Sequence, residues 1–324
     1  MNIIEEVLKR KRRFAIFPII CADHCAHILH KNFKDVATNG EILAEVLEYG
    51  YNLYRYDMTL IFSDPYVEAE AMGCSLEYSP YPKLISNSEL IRKKEIKALR
   101  LKSEIKGLRL KFKDRTDEII KSAQILREKV DVPVFVSIKG PFTLACFLYD
   151  TEDLLKLLLN NETTARSIIR MALDFQVEYL DRLLKIPVNI FIGDPLASAS
   201  VISPNLFKKF AYEPLRILIN KIKSAGMIAG VHICGDTRPI IEFLDNSGTD
   251  ILSIEDISHK TKTLKMGGVS TITLLNSDKK KIQKEIELAL KQDFLILSTS
   301  CDVPVNTPAE NIETMLDIAR QYEN

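Results

Sequence analysis

Two short stretches of this chain carry side chains that ligate metals. GVHICGD (230–236) holds His232 and Cys234, and CADHCAHILH (21–30) packs Cys and His more densely. Imidazole and thiolate suit zinc rather than magnesium or calcium. His232 and Cys234 stand at i and i+2, a spacing that points both side chains to one face of a β-strand. Cys301, in FLILSTSCD (294–302), supplies a third donor. Two Cys and one His form the ligand set of a catalytic zinc with its fourth position open. Two thiolates make the ion a weak Lewis acid, which favours deprotonating an incoming thiol over activating water. H-x-C alone is weak evidence, because Cys is often buried as a small apolar residue.

In the denser stretch, Cys21, His24 and Cys25 lie at i, i+3 and i+4 and can share a helix face. No second ligand pair accompanies them, since Cys74 and Cys146 stand alone. The segment also reads as a first barrel helix, with His24 expected to line a substrate pocket.

Distant donors must be brought together by the fold. Apolar strand-like runs occur at 13–20, 56–62, 131–140, 188–194, 226–235, 250–256, 270–276 and 294–302. Between them lie helical segments with apolar residues at three- and four-residue intervals, including 151–185 and 203–225, the latter with Ser203 as its expected N-cap. This alternation predicts a parallel sheet covered by helices. About eight such units fit a (β/α)8 TIM barrel better than an open doubly wound sheet. No G-x-G-x-x-G follows the first strand, which counts against a dinucleotide fold. The expected organisation is one domain over 1–324, with an N-terminal helical lead and a helical insertion around 63–130. The charge run at 86–130 reads as solvated helix faces. In such barrels function sits at the C-terminal ends of the strands. That rule selects Asp194, His232, Cys234, Glu255, Asp256 and Cys301, together with Cys21 and Asp23 after the first strand.

Composition narrows the function classes. The 324 residues are 46% hydrophobic and 27% charged, with 44 Lys+Arg balanced by 44 Asp+Glu. Zero net charge gives no reason to expect nucleic acid or an anionic membrane as partner. No apolar run approaches the eighteen or so residues of a membrane span. The amphipathic N-terminus is not of secretory type, so a cytoplasmic protein is expected. The six Cys are then poor disulfide candidates in a reducing compartment.

Several segments together resemble a known family. GVHICGDTRPIIEFLDNSGTDILSIED, ILSTSCDVPVNTPAENIETM, GDPLASASVISPNLFKKFAYEPL (193–215) and IFSDPYVEAEAMGC (61–74) are similar to the methylcobamide:coenzyme M methyltransferases of the uroporphyrinogen decarboxylase superfamily. The resemblance implies a (β/α)8 barrel with one Zn2+ per chain on His232, Cys234 and Cys301. It puts Glu255 where a carboxylate can fill the fourth position before the thiol arrives. It puts Asp64 in the pocket and Asp194, in the D-P-x-A-S segment, at the mouth. The implied reaction moves a methyl group from methylcobamide on a partner corrinoid protein to a small thiol such as coenzyme M. One departure matters. FPIICADHCAHI replaces the arginine-bearing stretch with which decarboxylases hold substrate carboxylates. A metal-free decarboxylase-like lyase is therefore the runner-up. A zinc alkyltransferase with another thiol or alkyl donor and a non-catalytic tetrapyrrole-binding barrel are further alternatives. Arg55, Lys139 and Arg238 are candidate cations for a sulfonated acceptor.

Overall fold

This computed structural model describes residues 2–87, 115–276 and 278–323. Among them the strands are β1 (Phe14–Phe17), β2 (Thr59–Ile61), β3 (Ser75–Tyr78), β4 (Pro82–Ser86), β5 (Val134–Lys139), β6 (Asn189–Gly193), β7 (Ala229–Ile233), β8 (Ile251–Ile254), β9 (Leu264–Val269) and β10 (Leu295–Thr299). β3 and β4 form an antiparallel hairpin. The other eight make one sheet in the order β1-β10-β9-β8-β7-β6-β5-β2, every pairing parallel. Runs such as Phe14–Phe17 and Leu295–Thr299 are buried at every position, as a parallel sheet covered on both faces requires.

β1 and β2 end the ladder and meet around Asp57. Its N–H donates to the Ile16 carbonyl at 2.9 Å, and its Oδ2 accepts the Ile16 N–H at 2.7 Å. Beyond the strands, the Ala22 N–H reaches the Phe62 carbonyl at 3.3 Å. The sheet is thus a nearly closed barrel, the expected (β/α)8 fold.

Amphipathic helices cover it. Glu162–Leu183 buries Ile168, Ile169, Ala172 and Tyr179 on one side. Gly40–Tyr54 and Arg115–Lys129 pack closely, because a Cβ at Gly40 would stand 2.3 Å from the Glu118 carbonyl oxygen. Inside the barrel, Phe135 and Phe191 meet with ring centroids 5.4 Å apart. Gly230 admits that layer, since a Cβ there would come within 2.5 Å of the Phe191 ring. The register above is what positions the site. Lys139 pairs with Gly193, Gly193 with His232, His232 with Ser253, and Ser253 with Met266. Paired residues of parallel neighbours face the same side, so these five share one inner level.

The structure corrects three readings of the elements. The expected strand at 270–276 is the helix Thr271–Asn276, and the strand is β9 just before it. β-branched Thr271, Ile272 and Thr273 favour a strand locally, whereas Gly267, Gly268 and Lys265 disfavour one. Tertiary contacts override both preferences. Glu285 accepts the Ser270 N–H at 2.8 Å and the Thr273 hydroxyl at 2.6 Å, which tethers the helix start. The Lys265 ammonium donates to the carbonyls of Ile257 and His259 and to Gln292 Oε1. The continuous helix at 151–185 is two helices divided at Asn161, whose side chain accepts the Thr164 N–H. Finally, the stretch 63–87 carries the short helix Val67–Ala71 and the β3–β4 hairpin. The rest of the expected helical insertion, 88–114, lies outside the described residues, and Arg115–Lys129 is the crossover helix before β5.

Asp57→Ala should open the β1–β2 seam by leaving the Ile16 N–H without its acceptor. A loss of about 1–3 kcal/mol in chemical denaturation is expected, and an unchanged midpoint would deny Asp57 this role.

Candidate metal centre

His232 lies on the inner face of β7, and Cys234 follows just past the strand. Cys301 sits two residues beyond the end of β10, in a bend. His232 Nε2 is 3.1 Å from Cys234 Sγ and 3.6 Å from Cys301 Sγ, and the two sulfurs are 3.7 Å apart. Among the described residues this is the group of three or more His, Cys, Asp or Glu whose donor atoms converge, all within 4.8 Å of one another.

The separations can be compared with a metal's demands. Zinc binds sulfur at about 2.3 Å and nitrogen at about 2.0–2.1 Å with tetrahedral angles, which places the sulfurs ~3.75 Å apart and nitrogen ~3.6 Å from sulfur. Two of the three observed distances match, and the 3.1 Å contact needs a small shift. The sulfurs are far beyond the ~2.05 Å of a disulfide. The Cys301 thiol beside it holds Cys234 below the ordinary thiol range, while the same contact and burial push Cys301 well above it. His232 Nδ1 lies 2.9 Å from the buried Ser253 Oγ, which fixes the ring with Nε2 towards the sulfurs.

These donors line a cavity of about 250 Å3 at the C-terminal end of the barrel. Ile19, Leu60, Phe62, Phe191 and Met266 give it apolar walls, and Ser137, Lys139, Cys21 and Asp302 contribute polar atoms. Asp302 Oδ1 accepts from Cys301 Sγ at 2.9 Å.

The other expected site residues are placed differently. Glu255 does not join the donors; its Oε1 accepts the Gly235 N–H at 2.5 Å and so steadies the turn after Cys234. Asp64 does not line the cavity, although Phe62 and Pro65 on either side do. It is a buried ion-pair partner of Arg115 that also accepts the Tyr66 N–H at 2.9 Å. Asp194 is wholly buried; its Oδ1 accepts the Thr143 N–H at 2.7 Å in the first turn of helix Pro141–Tyr149, and burial lifts its pKa to about 6. His24 is also wholly buried, with Nε2 3.0 Å from the Tyr54 hydroxyl, and burial lowers its pKa to about 4. Asp64, Asp194 and His24 thus stand outside the lining of this cavity, each held by a partner within the protein. In the dense Cys/His stretch, Cys21 borders the cavity, whereas Cys25 is buried against Gly50 and its thiol is pushed up to about 12. Sequence reasoning missed Ser253 as the orienting partner of His232, although strand pairing points to it. It left Lys139 as one of three cations. Arg55 lies over the Tyr51 ring and Arg238 pairs with Asp236, so of the three only Lys139 lines the cavity.

The family model described as Uroporphyrinogen decarboxylase (URO-D) matches residues 8–322. The chain is 25% identical over 321 residues to "Methylcobamide:CoM methyltransferase MtaA" of Methanosarcina barkeri, covering 90% of this chain and 87% of that one. It is 24% identical over 306 residues to "Methylcobamide:CoM methyltransferase MtbA" of Methanosarcina mazei, with coverage of 90% and 87%. A solved "methyltransferase from Methanosarcina mazei" superposes with a TM-score of 0.84 at 21% identity, covering 98% of this chain and 97% of that one.

Ser253→Ala should weaken metal binding about 10–100-fold in a chelator competition while the fold persists; unchanged affinity would remove Ser253 from the centre. Asp64→Ala should cost about 1–3 kcal/mol by removing one of the two carboxylates that pair with the buried Arg115 guanidinium, Glu70 being the other, yet leave metal content intact. Loss of metal without loss of stability would return Asp64 to the site.

Proposed function

We propose, from the premise that the chain belongs to the uroporphyrinogen decarboxylase family, that it is a zinc-dependent methyltransferase acting between a methylated corrinoid and a small thiol. The observation that carries this reading is the convergence of His232 Nε2, Cys234 Sγ and Cys301 Sγ at near-tetrahedral spacing over a small apolar cavity. The names of the relatives MtaA and MtbA support the same chemistry.

His232, Cys234 and Cys301 would hold the ion. When bound, zinc with two thiolate ligands and an open position lowers the pKa of an incoming thiol, so that a thiolate is present at neutral pH. The chain's own residues do the rest. Ser253 keeps Nε2 aimed at the centre, and Glu255 steadies the Cys234 turn through Gly235. The apolar walls from Ile19, Leu60, Phe62, Phe191 and Met266 exclude water, which would otherwise solvate and blunt the sulfur nucleophile. The corrinoid is a substrate carried by a partner protein that docks at the barrel mouth. The thiol would release its proton to solvent, its sulfur would form the new S–CH3 bond, and the Co–C bond of the corrinoid substrate would break with its electron pair left on cobalt. Holding the reactants in line supplies the remaining advantage.

The lyase reading has a specific observation against it. Lys139 is the one cation among the described residues lining the cavity, too few for a porphyrin with several acid groups. The cavity of about 250 Å3 suits a small thiol better than a macrocycle.

Purified under reducing conditions, the protein should hold about one zinc per chain and transfer methyl from methylcobalamin to a thiol. His232→Ala with Cys234→Ser should lose both the metal and at least about 100-fold in rate. Undiminished transfer by metal-free protein, or none by zinc-loaded protein across a thiol panel, would overturn the proposal.

A further inference from the structure

A second pocket, of about 620 Å3, opens at the N-terminal end of the barrel strands, away from the metal donors. Asp250 precedes β8, Thr263 precedes β9 and Phe294 precedes β10, and all three line it. Two short stretches supply most of its charge. KTKTLK (260–265) runs from the β8–β9 connection into β9, and KQDF (291–294) leads into β10. Lys260, Lys262, Lys265 and Lys291 line the pocket together with Arg10, which follows the helix Ile3–Leu8. The carboxylates in the lining are Asp250 and Asp293. In a chain of zero net charge this is a local excess of cations.

The pairing of these groups leaves the excess uncompensated. Asp250 is already committed, its Oδ1 accepting from Lys223 Nζ at 2.7 Å and its Oδ2 from the Ala229 N–H at 2.9 Å. Asp293 is exposed. Among the described residues none of the lining cations forms an ion pair. Lys262 donates to the neutral Asn246 Oδ1 at 2.8 Å. The ammonium groups of Lys260 and Lys291 have no acceptor among the described residues.

Two further features build positive charge into the pocket against local preference. Lys265 is only 6% exposed, and its ammonium is held by three neutral acceptors, the carbonyls of Ile257 and His259 and Gln292 Oε1. Its hydrogen bonds are satisfied, but no carboxylate neutralises the charge that burial penalises. Arg10 has φ +55°, just past a helix end, where glycine is the usual choice. Its guanidinium lies over the Phe294 ring, 4.7 Å from the centroid. Val7, Leu8 and Phe294 give the pocket an apolar wall, against which the field of the cations is weakly screened.

We propose that this pocket binds a soluble anion carrying two or three linked phosphates, as a bare polyphosphate chain or as a nucleotide. The uncommitted cations stand on separate segments: Arg10 after the first helix, Lys260 in the β8–β9 connection, Lys291 before β10. Donors spread in this way suit a chain of phosphates better than a lone one. The volume is within the range of small-molecule sites. None of the lining residues borders the metal cavity, so the site does not depend on the methyl-transfer reading.

The test is a calorimetric titration with tripolyphosphate, ATP and inorganic phosphate at constant ionic strength. Tripolyphosphate, ATP or both should bind roughly ten- to a hundredfold tighter than phosphate, the range for one further charge-assisted hydrogen bond. Tighter binding of ATP identifies a nucleotide, and equal or tighter binding of tripolyphosphate identifies the bare chain. Lys260→Met with Lys291→Met should weaken that binding at least about tenfold. Both lysines are exposed, so the variant keeps its fold. Arg10→Gly should also weaken binding without lowering the thermal midpoint, because glycine relieves the left-handed backbone. His232→Ala with Cys234→Ser lacks the metal ion that a polyphosphate can extract, and its Kd should stay within about twofold of the wild type. That arm separates this site from the metal cavity, so the two proposals fail independently. Affinity no better than for phosphate, affinity indifferent to Lys260 and Lys291, or affinity lost with the metal ligands would overturn the assignment.

Discussion

The curvature of the sheet is the constraint on which the centre depends. β7 and β10 are separated by β8 and β9 in the strand order. In a flat sheet, three spacings would keep their ends about 14 Å apart. Here Cys234 and Cys301, carried just past those two strands, have sulfurs 3.7 Å apart. Closing the sheet turns both ends inward over a common lumen, and closure depends on the seam where Asp57 joins β1 to β2. Beneath the site, Phe135 and Phe191 fill the lumen, so the donors stand on a packed floor and the cavity opens only above them.

Polar groups around this centre divide into two kinds. Those that look inward are incompletely satisfied by the protein: two sulfurs sharing a contact, an imidazole aimed between them, and an ammonium facing an aromatic ring. Those that look outward are committed. Asp64 pairs with Arg115, Asp194 holds a helix start, and Glu68 holds the end of β5. Buried polar groups normally find partners within the protein. Metal-binding donors gathered over one apolar cavity mark a place where a ligand completes the set, and this is consistent with the methyl-transfer chemistry proposed for this member of the uroporphyrinogen decarboxylase family.

Much of this was legible in the chain. Apolar runs alternating with amphipathic segments predict the barrel, and strand parity puts His232 and Cys234 on one face. The carboxylates and His24 were less legible, because a strand-end position does not say which way a side chain turns. Asp64 follows β2 much as Cys234 follows β7, yet its carboxylate meets Arg115, a residue far along the sequence. β9 was hidden because Gly267, Gly268 and Lys265 lack strand propensity. It forms because its neighbours β8 and β10 supply the ladder and Ile257, His259 and Gln292 receive the lysine.

By itself, then, the sequence determined the class of fold, the periodicity of each face, and the donor types available at strand ends. These are local properties, set by backbone geometry and side-chain chemistry. Tertiary structure decided which donors meet. Cys301 lies in a bend beyond β10, where strand parity no longer applies, and only barrel closure carries it to Cys234. The same holds for Lys139, whose nearness to His232 comes from the β5–β6–β7 register and from the missing side chain at Gly193. Distances across a closed sheet depend on register and curvature, and neither is written in the spacing of residues along the chain.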